Sequence, residues 1–135
     1  MAKQVQQHRT VIALDSIKMS AIILDGRKTP VLLLHANSSH ADIFWHQVAA
    51  LRAAGHGCIA PDLPGHGRSE DAANPQATYS FPGYANTLRK LLNTLGVSTY
   101  HVVGWSLGGH VGIELWYSDA RARSLRVTPI MPIEP

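Results

Sequence analysis

The chain has 135 residues, of which 45% are apolar and 16% charged, a balance that excludes an intrinsically disordered chain. The formal net charge is +3, with six basic and four acidic residues before Gly67 and six basic and five acidic residues after it. Because no basic tail or face stands out, we expect neither nucleic acid nor an anionic membrane as a partner. The length suits one domain over residues 1–135 and is too short for two.

The sequence also lacks the usual marks of a membrane or secreted protein. Its longest apolar stretches, such as Ala21–Leu24 and Val31–Leu34, are far shorter than the roughly 18 residues that a spanning helix needs. Met1–Thr10 is polar and contains no apolar core of a signal peptide. The single cysteine, Cys58, excludes an internal disulfide framework and a cysteine cluster for metal. We therefore expect a cytoplasmic protein.

Short apolar runs predict five strands: Thr10–Leu14, Met19–Leu24, Pro30–His35, Gly57–Pro61 and Tyr100–Val103. The Asp25-Gly26 pair is a turn signal after the second run. Pro30–His35 is apolar without alternation, which is typical of a strand buried on both faces of a parallel sheet.

Helical patterns occupy the segments between the later strands. The first is predicted to run to about Ala54, with Ser38, Ser39 or Asp42 as its N-cap and Gly55 after its end. The second is capped by Ser80 and ended by Gly96, and the third covers about Gly108–Ser118. After the first two strands the order is β-α-β-α-β-α, which predicts an α/β fold: a mostly parallel sheet with helices on both faces.

The segment that indicates a catalytic function is Gly104-Trp105-Ser106-Leu107-Gly108, a G-x-S-x-G pattern. Such a pattern arises by chance in roughly 4% of chains of this length, given ordinary glycine and serine usage. Here it follows a strand-like run and opens a helical one, which is the strand–turn–helix setting of a nucleophile elbow. Ser106 is then the candidate nucleophile, and the Leu107 amide a candidate oxyanion donor. Gly104 and Gly108 would keep side chains out of the place where strand and helix nearly touch.

A second candidate segment, His35-Ala36-Asn37-Ser38-Ser39, follows the third strand. In this architecture the other oxyanion amide comes from that loop, which favours Asn37. The alternative for Asn37 is a simple turn-forming role. For His35 we expect a buried structural histidine that holds the loop, and not a general base.

These motifs resemble those of the α/β-hydrolase superfamily. LLLHANSS, APDLPGHGRS and VVGWSLGGHVGIEL are similar to its oxyanion loop, its loop after the fourth strand and its elbow, over about Thr29–Asp119. Among members of this superfamily, the motifs are most similar to those of metal-independent, quorum-quenching N-acyl-homoserine lactonases. The resemblance implies a serine hydrolase of small esters or lactones that forms an acyl-enzyme at Ser106, contacts its substrate through Asn37 and Trp105, and uses no cofactor or metal.

Two features separate this chain within that superfamily. Ala36 stands where a glycine is usual, and its Cβ restricts the φ/ψ choices of the loop. Ser106 stands where dehalogenases and epoxide hydrolases of the same scaffold use a carboxylate, so these branches are not expected.

The triad acid and histidine of the superfamily follow later strands, and only 29 residues follow Ser106. His110 would lie beside the third helix and not above the Ser106 hydroxyl. We therefore expect a truncated or frame-disrupted N-terminal half of a hydrolase. The alternative is an inactive remnant or interaction module of the same fold. A nucleotide-binding domain is disfavoured because the turn reads GxSxGG and not GxGxxG.

The last segment is expected to close the sheet poorly. Leu125–Ile130 could begin a sixth strand, but Pro129, Pro132 and Pro135 each lack an N–H for the ladder. This predicts that the strand Tyr100–Val103 keeps an open, apolar edge. Such an edge favours self-association of the chain.

Overall fold

The computed structural model describes residues 8–128, which build a six-stranded sheet with helices on both faces. The strands are β1 (Arg9–Ala13), β2 (Lys18–Leu24), β3 (Lys28–Leu34), β4 (His56–Pro61), β5 (Tyr100–Trp105) and β6 (Ala122–Thr128). Their order across the sheet is β1-β2-β4-β3-β5-β6. β1 and β2 run antiparallel to each other and β2 to β4, whereas β4, β3, β5 and β6 are parallel. The predicted mostly parallel α/β sheet is confirmed.

The helices are α1 (Trp45–Ala53), the short α2 (Pro75–Thr78), α3 (Phe81–Thr94) and α4 (Leu107–Ser118). The predicted cap of α3 is confirmed, since the Gly83 amide donates to the Ser80 hydroxyl at 3.0 Å. The predicted side-chain cap of α1 by Ser38, Ser39 or Asp42 is wrong. A 3₁₀ turn over Ala41–Phe44 comes first, and α1 follows Phe44 without a side-chain cap, because the Asp42 carboxylate is bound by Arg9.

Two apolar clusters cover the two faces of the sheet. Toward α3 and α4, Leu32, Leu34 and Ile59 of the central strands pack with Leu88 and Leu115. On the face toward α1 the buried cluster is Ile22, Leu24, Val31, Leu33, Ala41, Phe44, Val48, Cys58 and Ala60. The prediction that the third strand is buried on both faces is therefore confirmed.

The sixth strand corrects the expectation of an open edge on β5. β6 pairs with β5 from Tyr100↔Ala122 to Trp105↔Thr128, with one register shift near Tyr100. It begins at Ala122, before the predicted start at Leu125, so the pairing is complete before any proline is reached. Pro129 and the later prolines lie outside the described residues. The outer edge on this side of the sheet belongs to β6. Within residues 8–128, no helix has the length and apolarity needed to cross a membrane.

Candidate active site

Ser106 occupies the sharp turn between β5 and α4. Its φ is 55° and its ψ −113°, a backbone conformation in which a residue with a side chain is strained. The Gly109 and His110 amides donate to the Ser106 carbonyl at 2.9 and 3.1 Å, so α4 begins immediately after the serine. The amide of Leu107 is among the first in the helix, where helical geometry provides no internal acceptor. A developing negative charge at this end would be stabilised by that amide and by the helix dipole.

The two glycines of the motif allow this turn because a side chain at either position would overlap backbone. A Cβ on Gly104 would collide with the Gly108 carbonyl, and one on Gly108 with the backbone carbonyls of Leu34 and His35. Strand β3, the start of α4 and the end of β5 therefore meet backbone to backbone. Backbone packing therefore favours glycine at both positions, as predicted from the sequence.

Strand pairing places the Asn37 loop beside the elbow. Leu34, the last residue of β3, is in register with Gly104 of the neighbouring parallel β5. The carboxyl ends of the two strands therefore lie at the same edge of the sheet, and the loops that carry Asn37 and Ser106 follow directly. The one positive φ in the Asn37 loop is at Ser38, 59°, so the Cβ of Ala36 meets no left-handed conformation.

His35 is a neutral structural residue, as expected. Its side chain is fully buried, its Nδ1 lies 2.7 Å from the Ala36 carbonyl, and its Nε2 lies 2.9 Å from the Leu63 amide. The amide can only donate, so Nε2 accepts and Nδ1 carries the proton. Burial lowers the pKa of His35 to about 4. The imidazole ties the loop after β3 to the loop after β4 and is not available as a base.

Asp62 is the residue of this region whose role sequence reasoning missed. It is fully buried and accepts hydrogen bonds from the Arg9 side chain at 2.8 Å, the Ala41 amide at 2.7 Å and the Arg68 amide at 2.9 Å. Burial alone would raise the pKa of Asp62, but these hydrogen bonds and the Arg9 charge outweigh it and lower the pKa. The only sequence signal was its position directly after a buried strand, in DLPGHGRS.

The other two histidines near the site have hydrogen-bonding or stacking partners other than Ser106. His110 stacks on Phe81 with ring centroids 4.7 Å apart, on the outer side of α4. His66 lies with its Nδ1 3.0 Å from the Pro64 carbonyl and its Nε2 3.4 Å from the Asn37 side-chain oxygen. The expectation that His110 lies beside the helix agrees with this stacking.

An apolar groove adjoins the elbow on the α1 side of the sheet. Its volume is about 360 Å³, and it is lined by Ile43, Phe44, Gln47, Val103, Trp105 and Thr128. Trp105 directly precedes Ser106, and the Thr128 carbonyl accepts from the Ser106 amide at 3.1 Å. Two residues that line the groove, Trp105 and Thr128, are therefore direct neighbours of the candidate nucleophile Ser106.

In the described part of the chain, no three His, Cys, Asp or Glu side chains come together as metal ligands would. Cys58 is buried in the sheet, where burial raises the pKa of its thiol to about 11. It is therefore a protonated core residue and not a reactive thiolate.

Comparison with known proteins identifies the family. The family model for the α/β-hydrolase fold matches residues 29–116. The structure of N-acyl homoserine lactonase AidH complexed with N-butanoyl homoserine superposes with a TM-score of 0.82 at 36% identity, over 88% of this chain and 43% of that one. A fluoroacetate dehalogenase from Burkholderia sp is 34% identical over 82% of this chain and 37% of its own length.

An uncharacterized protein of Mycobacterium tuberculosis is 38% identical over 72% of this chain and 27% of its own length. The chain thus spans less than half of each of these relatives. The matching family model, the sheet order and the strand–turn–helix around Ser106 agree with one another, and the chain belongs to the α/β-hydrolase family.

Proposed function

We propose that Ser106 is the nucleophile of a hydrolase that cleaves small esters or lactones through an acyl-enzyme. The observation that carries this proposal is the Ser106 backbone, with a φ of 55° on the turn between β5 and α4. A strained non-glycine residue that a strand, a helix and two obligatory glycines hold in place is characteristic of a nucleophile elbow. Strain at this position has no evident structural use, since a third glycine would relieve it.

The neighbouring amides supply the stabilisation that acyl transfer requires. We assign the oxyanion hole to the Leu107 amide at the N-terminus of α4 and to the Asn37 amide in the loop after β3. The β3–β5 register supports this pair because it brings both loops to one edge of the sheet. Each such donor typically contributes a factor of about 10²–10³ to kcat.

The substrate class follows from the nucleophile and the groove. A hydroxyl forms an ester intermediate with acyl substrates, so we prefer ester and lactone bonds to the carbon–halogen bonds that the dehalogenase relatives' names indicate. The groove of about 360 Å³ beside Trp105 is mostly apolar and fits an acyl chain. N-acyl-homoserine lactones, which AidH cleaves by its name, are the specific candidates.

Turnover also requires a base for the Ser106 proton and an acid that orients the base. We place both in the portion of the relatives that this chain does not span, because His35, His66 and His110 have other partners. The 135-residue chain alone is therefore expected to show no ester or lactone turnover above that of its Ser106→Ala variant.

A hybrid enzyme tests the proposal. This chain would replace the matched 43% of AidH, joined to the remainder of that lactonase, and be assayed with N-hexanoyl homoserine lactone and a p-nitrophenyl ester. Ser106→Ala should lower kcat on the order of a million-fold. Ser118→Ala, at the far end of α4, is the matched control and should leave kcat unchanged. A folded hybrid without Ser106-dependent turnover would favour the inactive-module alternative.

A further inference from the structure

His66 makes a contact with Asn37 whose hydrogen-bonding pattern depends on a proton. The His66 Nδ1 lies 3.0 Å from the Pro64 carbonyl, which can only accept, so Nδ1 carries a proton. The Nε2 lies 3.4 Å from the Asn37 Oδ1, which can also only accept. In a neutral imidazole with Nδ1 protonated, Nε2 is an acceptor as well. The contact is therefore a hydrogen bond only when the imidazole is doubly protonated.

For neutral His66 the same two side chains can bond in one other way. The Asn37 amide turns by half a rotation, and its Nδ2 donates to the His66 Nε2. The end of Asn37 that remains free for a substrate then changes from the donor Nδ2 to the acceptor Oδ1. On acidification the Nε2 lone pair takes a proton from solvent and forms an N–H bond; when the pH rises, that N–H bond breaks, the proton returns to solvent and the lone pair is restored.

Backbone hydrogen bonds hold the loops around both residues, and around Asn37 the Ser39 amide donates to the Ala36 carbonyl at 3.1 Å. The His66 amide donates to the Leu63 carbonyl, and the Arg68 amide to the buried Asp62. The loops after β3 and β4 are joined by the Leu63–His35 hydrogen bond at 2.9 Å. His66 and Asn37 are thus opposite each other across two connected loops.

Two aromatic rings lie beside His66. The neighbouring rings are His35, at 5.1 Å between centroids, and Tyr84 of α3, at 6.5 Å. Burial keeps both neutral, since it lowers the pKa of His35 to about 4 and raises that of Tyr84. In the flanking loops, Asp62 is paired with Arg9, while His40 and Arg68 are exposed. His66 itself is half-buried.

We propose that His66 is a positioning residue that sets, through its protonation state, which end of the Asn37 side-chain amide faces the substrate. The effect of the Asn37 orientation on substrate binding and catalysis rests on the proposed function. Protonated His66 leaves the Asn37 Nδ2 free to donate to a lactone carbonyl or an oxyanion. Neutral His66 leaves the Oδ1 free to accept from a substrate amide N–H, so substrate preference should change with pH.

The test is a pH titration of the full chain by NMR, with no substrate. We expect the His66 ring nitrogens and the Asn37 side-chain amide to shift with one shared midpoint. His66→Gln should abolish the titration of the Asn37 signals, whereas His110→Gln, on α4, should leave it unchanged. Ser106→Ala should leave it unchanged too, so the result does not depend on whether Ser106 is a nucleophile.

Asn37 signals that stay constant while His66 titrates would overturn the proposal, as would a titration that persists in His66→Gln. If His66→Gln fails to fold, the wild-type spectra can still overturn the proposal, because Asn37 side-chain signals that stay constant while His66 titrates would contradict it.

Discussion

Arg9 and Asp62 lie 53 positions apart in the chain and form a two-point ion pair inside the fold. The Arg9 Nη1 donates to Oδ2 at 2.8 Å and the Nη2 to Oδ1 at 3.2 Å, with side chains 7% and 0% exposed. Asp62 also accepts from the backbone amides of Ala41 and Arg68. The pair therefore fastens β1 to the loops after β3 and β4, which carry the residues of the candidate site.

Removing the Asp62 charge should strongly destabilise the chain. Asp62→Asn leaves the buried Arg9 with only Asp42 as a charged partner, and breaking a buried pair in this way costs about 3–5 kcal/mol of unfolding free energy. Denaturant unfolding at neutral pH measures it. Asp42→Asn is the matched control and should cost about 1 kcal/mol or less, because the Asp42 side chain is 29% exposed. The double variant Arg9→Met/Asp62→Asn should recover part of the loss. If the double variant lost as much unfolding free energy as the sum of the two single variants, that result would contradict the pairing.

The free energy of unfolding should depend on pH through His35, at pH values above those at which carboxylates titrate. Its folded pKa of about 4 lies below the unfolded value of about 6.5, so the unfolded chain binds more protons between these values. The His35 contribution is complete above about pH 6.5 and declines by about 3 kcal/mol as the pH falls to about 4. Unfolding free energies across this range, compared between wild type and His35→Gln, should show a weaker slope in the variant. His46→Gln, exposed on α1, should retain the wild-type slope.

The elbow should tolerate no side chain at Gly108. Gly108→Ala places a Cβ on the Leu34 and His35 carbonyls, which are backbone and cannot turn away, so we expect a loss of about 3 kcal/mol or more. Gly112→Ala, one turn further along α4, meets only the side chains of Leu125 and Val102 at 3.1 Å. Its effect should stay within about 1 kcal/mol, because alanine's helix propensity offsets the contact. Equal losses from the two variants would show that the predicted close approach of strand and helix does not limit stability.

Self-association through the sheet edge stays a prediction, now at β6 and not at β5. The exposed side chains of β6 include Arg123 and Arg126, and like charges on an edge strand oppose pairing with a second copy. We expect light scattering to show larger species at high salt, where repulsion is screened, and smaller ones at low salt. Arg126→Ala should favour association at low salt. A monomer under all these conditions would show that the β6 edge is not adhesive.

Local sequence patterns predicted most of the fold, whereas contacts between residues far apart in the chain could not be predicted from the sequence. The elbow at Ser106 and the cap at Ser80 depend on residues within a few positions, which a sequence displays directly. The start of α1 was predicted wrongly because Asp42 binds Arg9, 33 positions earlier, and not the helix N-terminus. Asp62 was missed for the same reason. β6 begins earlier than predicted because Ala122, Arg123 and Ser124 form no apolar run, and their place in the strand is set by pairing with β5.

The proposed mechanism requires that Ser106 carries the acyl group during turnover. The most direct measurement is mass spectrometry of the hybrid hydrolase, quenched during turnover of a slowly deacylated p-nitrophenyl ester and digested to peptides. We expect an added acyl mass on the peptide that contains Ser106, and no such mass in Ser106→Ala. Turnover with an adduct on another residue, or turnover that survives Ser106→Ala at more than about a hundredth of the wild-type rate, would contradict it.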